Sequence, residues 1–220
     1  MALSSTQEII VSILPLILAI TVHELMHGVV AYILGDKTAY LVKRLSLDPL
    51  RHVDLIGTIL LPLLLFASGS KIVFGWAKPV PINPRNFTHP RRDSALVALA
   101  GPLANFLMAI LWGIIAKISI TWVLFSPSVN IFLYHAGITG VLLNIFLGFF
   151  NLIPIPPLDG SHILYAILPN HLILPYLRLA PFGNFIILFL ILTNSIRYLI
   201  EKPSLLLANL VANLCGIITL

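Results

Sequence analysis

The chain has 220 residues, of which 59 % are hydrophobic and only 10 % charged, with a mean hydropathy of +1.02. A soluble domain carries about 25 % charged residues, so composition excludes a water-soluble fold and indicates an all-α membrane protein, since open sheets leave backbone groups unpaired in lipid. The net charge of +5 reads as loop retention at the cytoplasmic face rather than nucleic-acid binding, and the single cysteine, Cys215, excludes an internal disulfide or a cysteine-based metal site.

The length suits one domain, residues 1–220. No Lys or Arg precedes Lys37, so the first apolar segment, 9–34, reads as a retained span and not as a cleaved signal peptide. Gly35-Asp36 stops it. Residues 38–51 read as a loop with a short strand over 40–47. Segment 55–67 is apolar but has only 13 residues and is broken by Pro62. A crossing needs about 17–25 residues, so this segment is expected to be re-entrant, with both ends on one side. Residues 71–87 contain Gly75-Trp76-Ala77-Lys78-Pro79-Val80-Pro81-Ile82-Asn83-Pro84, too rich in proline for a helix, and suggest a small extended or β-hairpin element. Further spans are expected over 94–117, over 131–153 with Gly137 and Gly140 spaced for close helix contact, and within 181–199. Residues 156–168 form a shorter helix, and 204–220 an apolar tail of marginal length. The expected architecture is a polytopic helix bundle of about four full spans with short re-entrant or half helices.

Nine basic residues, from Lys37 to Arg92, lie between the first span and residue 94. The positive-inside rule places them in the cytoplasm. The first span then runs inward, 94–117 runs outward and 131–153 returns. On this topology His23, His27, Asn151 and Asp159 reach similar depth in the cytoplasmic half of the membrane.

His23-Glu24-Leu25-Met26-His27 lies inside the first span, where Glu24 is the only acid. Positions i and i+4 share a helix face, so both imidazoles can serve one metal ion, and Glu24 can reach a water beside it. Ionisable groups at membrane depth are disfavoured by about 2.5–3.5 kcal/mol each, and they usually serve function. Catalytic zinc takes three protein ligands plus water. Asp159, alone in an apolar setting after Pro154, Pro156 and Pro157, is the natural third; its other reading is a helix N-cap. His162 is a rival ligand, and His135 a weaker one. Asn151 has an amide able to donate toward an oxyanion or the water, or simply to close a helix end. Asn105 and Asn144 read as interhelical hydrogen bonds.

These motifs, His23-Glu24-x-x-His27 followed by Asn151-x-x-Pro154-x-Pro156-x-Leu158-Asp159-Gly160, resemble the site-2 protease family of intramembrane metalloproteases. Ala100-Gly101-Pro102-Leu103-Ala104-Asn105 and the Phe74–Pro84 loop are similar to segments of its short bacterial members. The resemblance implies one Zn2+ per chain on His23, His27 and Asp159, with Glu24 as general base and Asn151 assisting. It implies cleavage of membrane-protein substrates at transmembrane helices, in a bacterial cell membrane, with the site toward the cytoplasm. The 71–87 element is expected to hold an unwound substrate by strand addition. The family's larger members insert a PDZ domain between the motifs, for which this interval has no room. The alternatives are a metal-ion transporter or channel, which requires a continuous polar path, and an inactive helix-binding scaffold, for which an intact Glu24 has no use.

Overall fold

Only a helix pairs all its own backbone groups within one segment in lipid, and the long apolar runs among the described residues are helical. The computed structural model describes residues 5–60, 77–122 and 126–217. Among these, four stretches are long and apolar enough to cross a membrane: Ile10–Ile33, Pro90–Thr121, Pro127–Asn151 and Asn170–Leu192. The chain is an integral membrane protein.

Helix α1 (Ser5–Ile33) ends at Gly35, whose φ of 107° suits a residue without a Cβ. A single turn, α2 (Thr38–Leu41), a 3-10 turn (Pro49–His52) and a π-helical turn (Leu55–Leu60) follow. Helix α3 (Pro90–Thr121) and helix α4 (Pro127–Asn151) each start with proline, which suits a helix N-terminus. Then come α5 (Asp159–Ile167), α6 (Asn170–Leu177), a 3-10 turn (Ala180–Phe182), α7 (Gly183–Leu192) and α8 (Ser195–Cys215).

Helix α3 is the central post, packed against α1, α4, α5 and α8. Lipid tails are as apolar as leucine, so helices associate in a bilayer through close packing at small residues. Gly137 and Gly140 do this on α4. A Cβ at Gly137 would lie 2.6 Å from that of Ala116, and one at Gly140 would lie 2.4 Å from the Trp112 ring. Val11, Trp112, Val141, Ile145 and Val211 close the core of α1, α3, α4 and α8. Leu107, Leu111, Leu142, Phe146, Phe185 and Phe189 remain exposed on the helix exteriors, where lipid covers them.

Several boundaries differ from expectation. Residues 40–47 hold no strand: Thr38–Leu41 is helical and Lys43 turns the chain with a φ of 57°. Leu45 packs against Gly28 of α1 instead of pairing its backbone with a neighbouring strand. The fourth span runs from Asn170 to Leu192, not within 181–199, because Asn194 adopts a left-handed φ of 57° and starts a new helix. The tail expected from 204 belongs to that helix, α8, which buries Ala208, Val211 and Ala212. Of the re-entrant and hairpin expectations, residues 61–76 lie outside the described residues. Residues 77–83 have no regular secondary structure, and no strand occurs among the described residues.

Candidate metal centre

One turn of α1 separates His23 from His27, and both are buried. Gly101 of α3 faces them: a Cβ there would lie 2.5–2.6 Å from atoms of the two rings. Glycine thus lets the α3 backbone close against both imidazoles. Asp159 opens α5, which the loop after α4 returns toward α1. Gly160 makes that return possible, because a Cβ would lie 2.1 Å from the Leu152 carbonyl oxygen. At the other end of α5, Arg91 of α3 donates to the carbonyls of Tyr165, Ala166 and Leu168 and to Asn170 Oδ1. It satisfies carbonyls that the end of a short helix leaves open.

The outcome is a cluster of three side chains, His23, His27 and Asp159, whose ligand atoms all lie within 4.8 Å of one another. The two Nε2 atoms are 3.0 Å apart. Asp159 Oδ2 lies 3.2 Å from His23 Nε2, and Oδ1 lies 3.3 Å from His27 Nε2. The far ring nitrogens meet oxygens: His23 Nδ1 is 2.6 Å from Asn105 Oδ1 and His27 Nδ1 is 2.7 Å from the Val97 carbonyl oxygen. A carbonyl oxygen only accepts, so each neutral ring carries its proton on Nδ1 and turns a bare Nε2 lone pair inward. Two lone pairs and a carboxylate then converge, and Asp159 Oδ2 is buried with no hydrogen-bond donor. Three acceptors facing one another need a cation between them, so this donor set fits a divalent metal.

Glu24 is half-buried beside His23, and its Oε2 accepts from the Val80 N–H at 2.9 Å. Asn151 ends α4 and donates from Nδ2 to the Leu147 carbonyl oxygen of its own helix, 3.0 Å away. Neither His162 nor His135 belongs to the close group. His162 is exposed on α5, and His135 meets the Tyr134 ring edge on.

Val80 was not legible as a site residue. Pro79 and Pro81 carry no N–H, so Val80 has the only backbone donor of that tripeptide, and Glu24 takes it. The rest of 77–87 is strapped down as well. Lys78 N donates to the His52 carbonyl, and Arg44 Nη2 donates to the Lys78 and Pro79 carbonyls. Asn83 N and Asn86 Nδ2 donate to Asp36. The donors at Lys78, Val80 and Asn83 are therefore spent within the protein, which limits how this stretch can pair with an added strand.

Asp36 is fully buried and accepts from Thr38 as well. Burial alone would raise its pKa, but the hydrogen bonds from Thr38, Asn83 and Asn86 outweigh it and hold the carboxyl below its usual value of 3.8. A lowered folded pKa gives stability that is complete above about pH 4 and is lost as pH falls through the folded value. Hydrogen bonds to a charged group contribute about 1.5–3 kcal/mol each. Asp36→Ala is thus expected to free 77–87 for limited proteolysis at neutral pH, as acidification below pH 4 does for the unaltered protein. Equal protection in the variant would show that Asp36 does not anchor the strap.

An apolar helix bundle with a His-His-Asp cluster and an adjoining glutamate is the arrangement of a membrane metallopeptidase. Sequence comparison supplies the particular family: residues 115–193, which include Asn151 and Asp159, match the model of "Peptidase family M50". The chain is 34 % identical over 193 residues to a Bacillus subtilis protein named "Putative zinc metalloprotease YwhC", covering 86 % of this chain and 83 % of that one. It is 32 % identical over 182 residues to "Putative zinc metalloprotease Rip2" of Mycobacterium tuberculosis, covering 80 % of this chain and 62 % of that one. A shorter match, 38 % identical over 79 residues, reaches "Zinc metalloprotease MJ0392" of Methanocaldococcus jannaschii and covers 36 % of this chain and 21 % of that one. No solved structure matches. The chain belongs to peptidase family M50, the site-2 protease family.

Proposed function

We propose that this metallopeptidase is an intramembrane zinc protease that hydrolyses peptide bonds within or beside the transmembrane segments of membrane proteins. The observation that carries the proposal is the convergence of His23, His27 and Asp159 inside an apolar helix bundle, with Glu24 one residue from the first histidine. His23 Nε2, His27 Nε2 and an Asp159 oxygen would hold the zinc. When bound, zinc supplies a Lewis acid that brings a water pKa to about 7 and polarises the scissile carbonyl.

The chain's own groups do the rest. Glu24 has one oxygen held by Val80, which leaves the other to take the proton of the attacking water and deliver it to the leaving nitrogen. Asn151 spends one amide hydrogen on Leu147; its second N–H is the donor assigned to the developing oxyanion. A substrate helix has its carbonyls engaged, so it must unwind locally before attack. The stretch 77–83, docked on Glu24, is the surface along which the unwound chain would lie. The basic residues between α1 and α3 support a position for this end of the bundle at the cytoplasmic face of the cell membrane.

The test is reconstitution in lipid vesicles with a single-span substrate and mapping of the product termini by mass spectrometry. Cleavage at residues of the substrate's span, near the end that faces the basic loops, is the expected result. Cuts confined to loops remote from the span would remove the intramembrane assignment and leave only the metallopeptidase.

A further inference from the structure

Asn105 and Asn144 are both fully buried polar side chains in the middle of an apolar bundle. The donor set of the metal centre does not include them. Their hydrogen bonds nevertheless form one relay, donated from His23 Nδ1 to Asn105, from Asn105 to Asn144 and from Asn144 to the Gly140 carbonyl.

The order can be followed from the backbone inward. Asn144 Nδ2 lies 2.9 Å from the Gly140 carbonyl oxygen of its own helix. A carbonyl only accepts, so the amide nitrogen must face Gly140, and Asn144 Oδ1 must face the other way. Asn105 Nδ2 lies 3.0 Å from that oxygen and 3.3 Å from the Ala19 carbonyl oxygen of α1. Both of its hydrogens are thereby used. Turning the Asn105 amide over would set its oxygen against two other oxygens. Its Oδ1 is therefore presented to His23 Nδ1, at 2.6 Å. An oxygen in that place demands a proton on Nδ1, which leaves Nε2 unprotonated.

We infer that Asn105, oriented by Asn144 and by the Ala19 carbonyl, is a positioning residue that fixes the tautomer and ring orientation of His23 so that Nε2 is always presented as a metal ligand. The inference rests on the reading of His23 as a zinc ligand. Helices α1, α3 and α4 each supply one link, so the helix packing described above also sets the protonation pattern of the site. A buried amide in this setting serves more than helix association, because an apolar pair would pack as well and leave the imidazole free to choose either tautomer. Outer partners of this kind also raise the basicity of the ligating nitrogen.

Zinc affinity of the full-length protein, measured by chelator competition in detergent or lipid, tests the inference. Asn105→Ala is expected to weaken zinc binding about 10–100-fold, the usual effect of losing such a partner. Asn105→Asp keeps an acceptor for Nδ1–H but loses both donors, so thermal stability should fall while zinc affinity stays within about threefold of the parent. Asn144→Ala leaves Ala19 to orient Asn105 and should have a smaller effect on affinity than Asn105→Ala. The core substitution Val141→Ala should lower stability without changing affinity. A folded Asn105→Ala protein with parental affinity would overturn the inference. So would ring 15N spectra of the metal-free parent showing His23, identified by its absence in His23→Gln, protonated on Nε2; this measurement needs no Asn105 variant to fold. If His23→Gln itself binds zinc with parental affinity, the ligand assignment has failed, which is a separate result.

Discussion

Glu24→Gln is expected to leave zinc in place and to slow peptide cleavage by a factor of about 100 to 10,000, the range attributed to a positioned general base. Glutamine keeps the side-chain length, and its amide oxygen can still accept from the Val80 N–H, so the strap over the site stays docked. What is lost is the ability to take a proton from the attacking water. Zinc content of the purified variant and turnover of a reconstituted substrate are the two measurements. Near-parental turnover would require a base other than Glu24. Lost zinc would show that Glu24 supports the metal itself.

Asp159→Ala is expected to weaken zinc binding by more than the roughly 10–100-fold that follows loss of an outer partner, because it removes one of the three proposed ligands. His162→Ala, three residues further along α5, should leave occupancy unchanged. The geometry separates the two: Asp159 lies 3.2–3.3 Å from both Nε2 atoms, and His162 is outside the close cluster. Metal analysis of both variants decides between them. Parental occupancy in Asp159→Ala with loss in His162→Ala would reverse the assignment.

The parts of this site that could be read from the chain are those governed by local rules. His23 and His27 share a face because α1 is continuous between them, and helical spacing alone places them together. Asp159 stood out because a carboxylate in so apolar a stretch has few other reasons to exist. The spans 94–117 and 131–153 follow from apolar length. What escaped notice depends on long-range pairing. Nothing in Lys78-Pro79-Val80-Pro81 reveals that the Val80 N–H reaches a residue 56 positions earlier. Asn105 and Asn144 were correctly read as interhelical, but the direction of their hydrogen bonds emerges only when Gly140 and Ala19 are seen beside them. The end of the last span was missed because hydropathy is blind to the backbone break at Asn194, where one helix ends and the next begins. The strand expected over 40–47 has no strand to pair with among the described residues.

Helix α5 has nine residues, or about 14 Å of rise, roughly half the hydrocarbon thickness of a bilayer. It is held at both ends by protein: Gly160 against Leu152 at the start and the Arg91 guanidinium at the finish. Full spans answer a thicker or thinner membrane by tilting. A half-length helix clamped to its neighbours has no such obligation, and the carboxylate it carries travels with α3 and α4 rather than with the lipid. The proposed metal site is therefore expected to keep its geometry, and zinc affinity its value, when the protein is moved between vesicles of different lipid chain length.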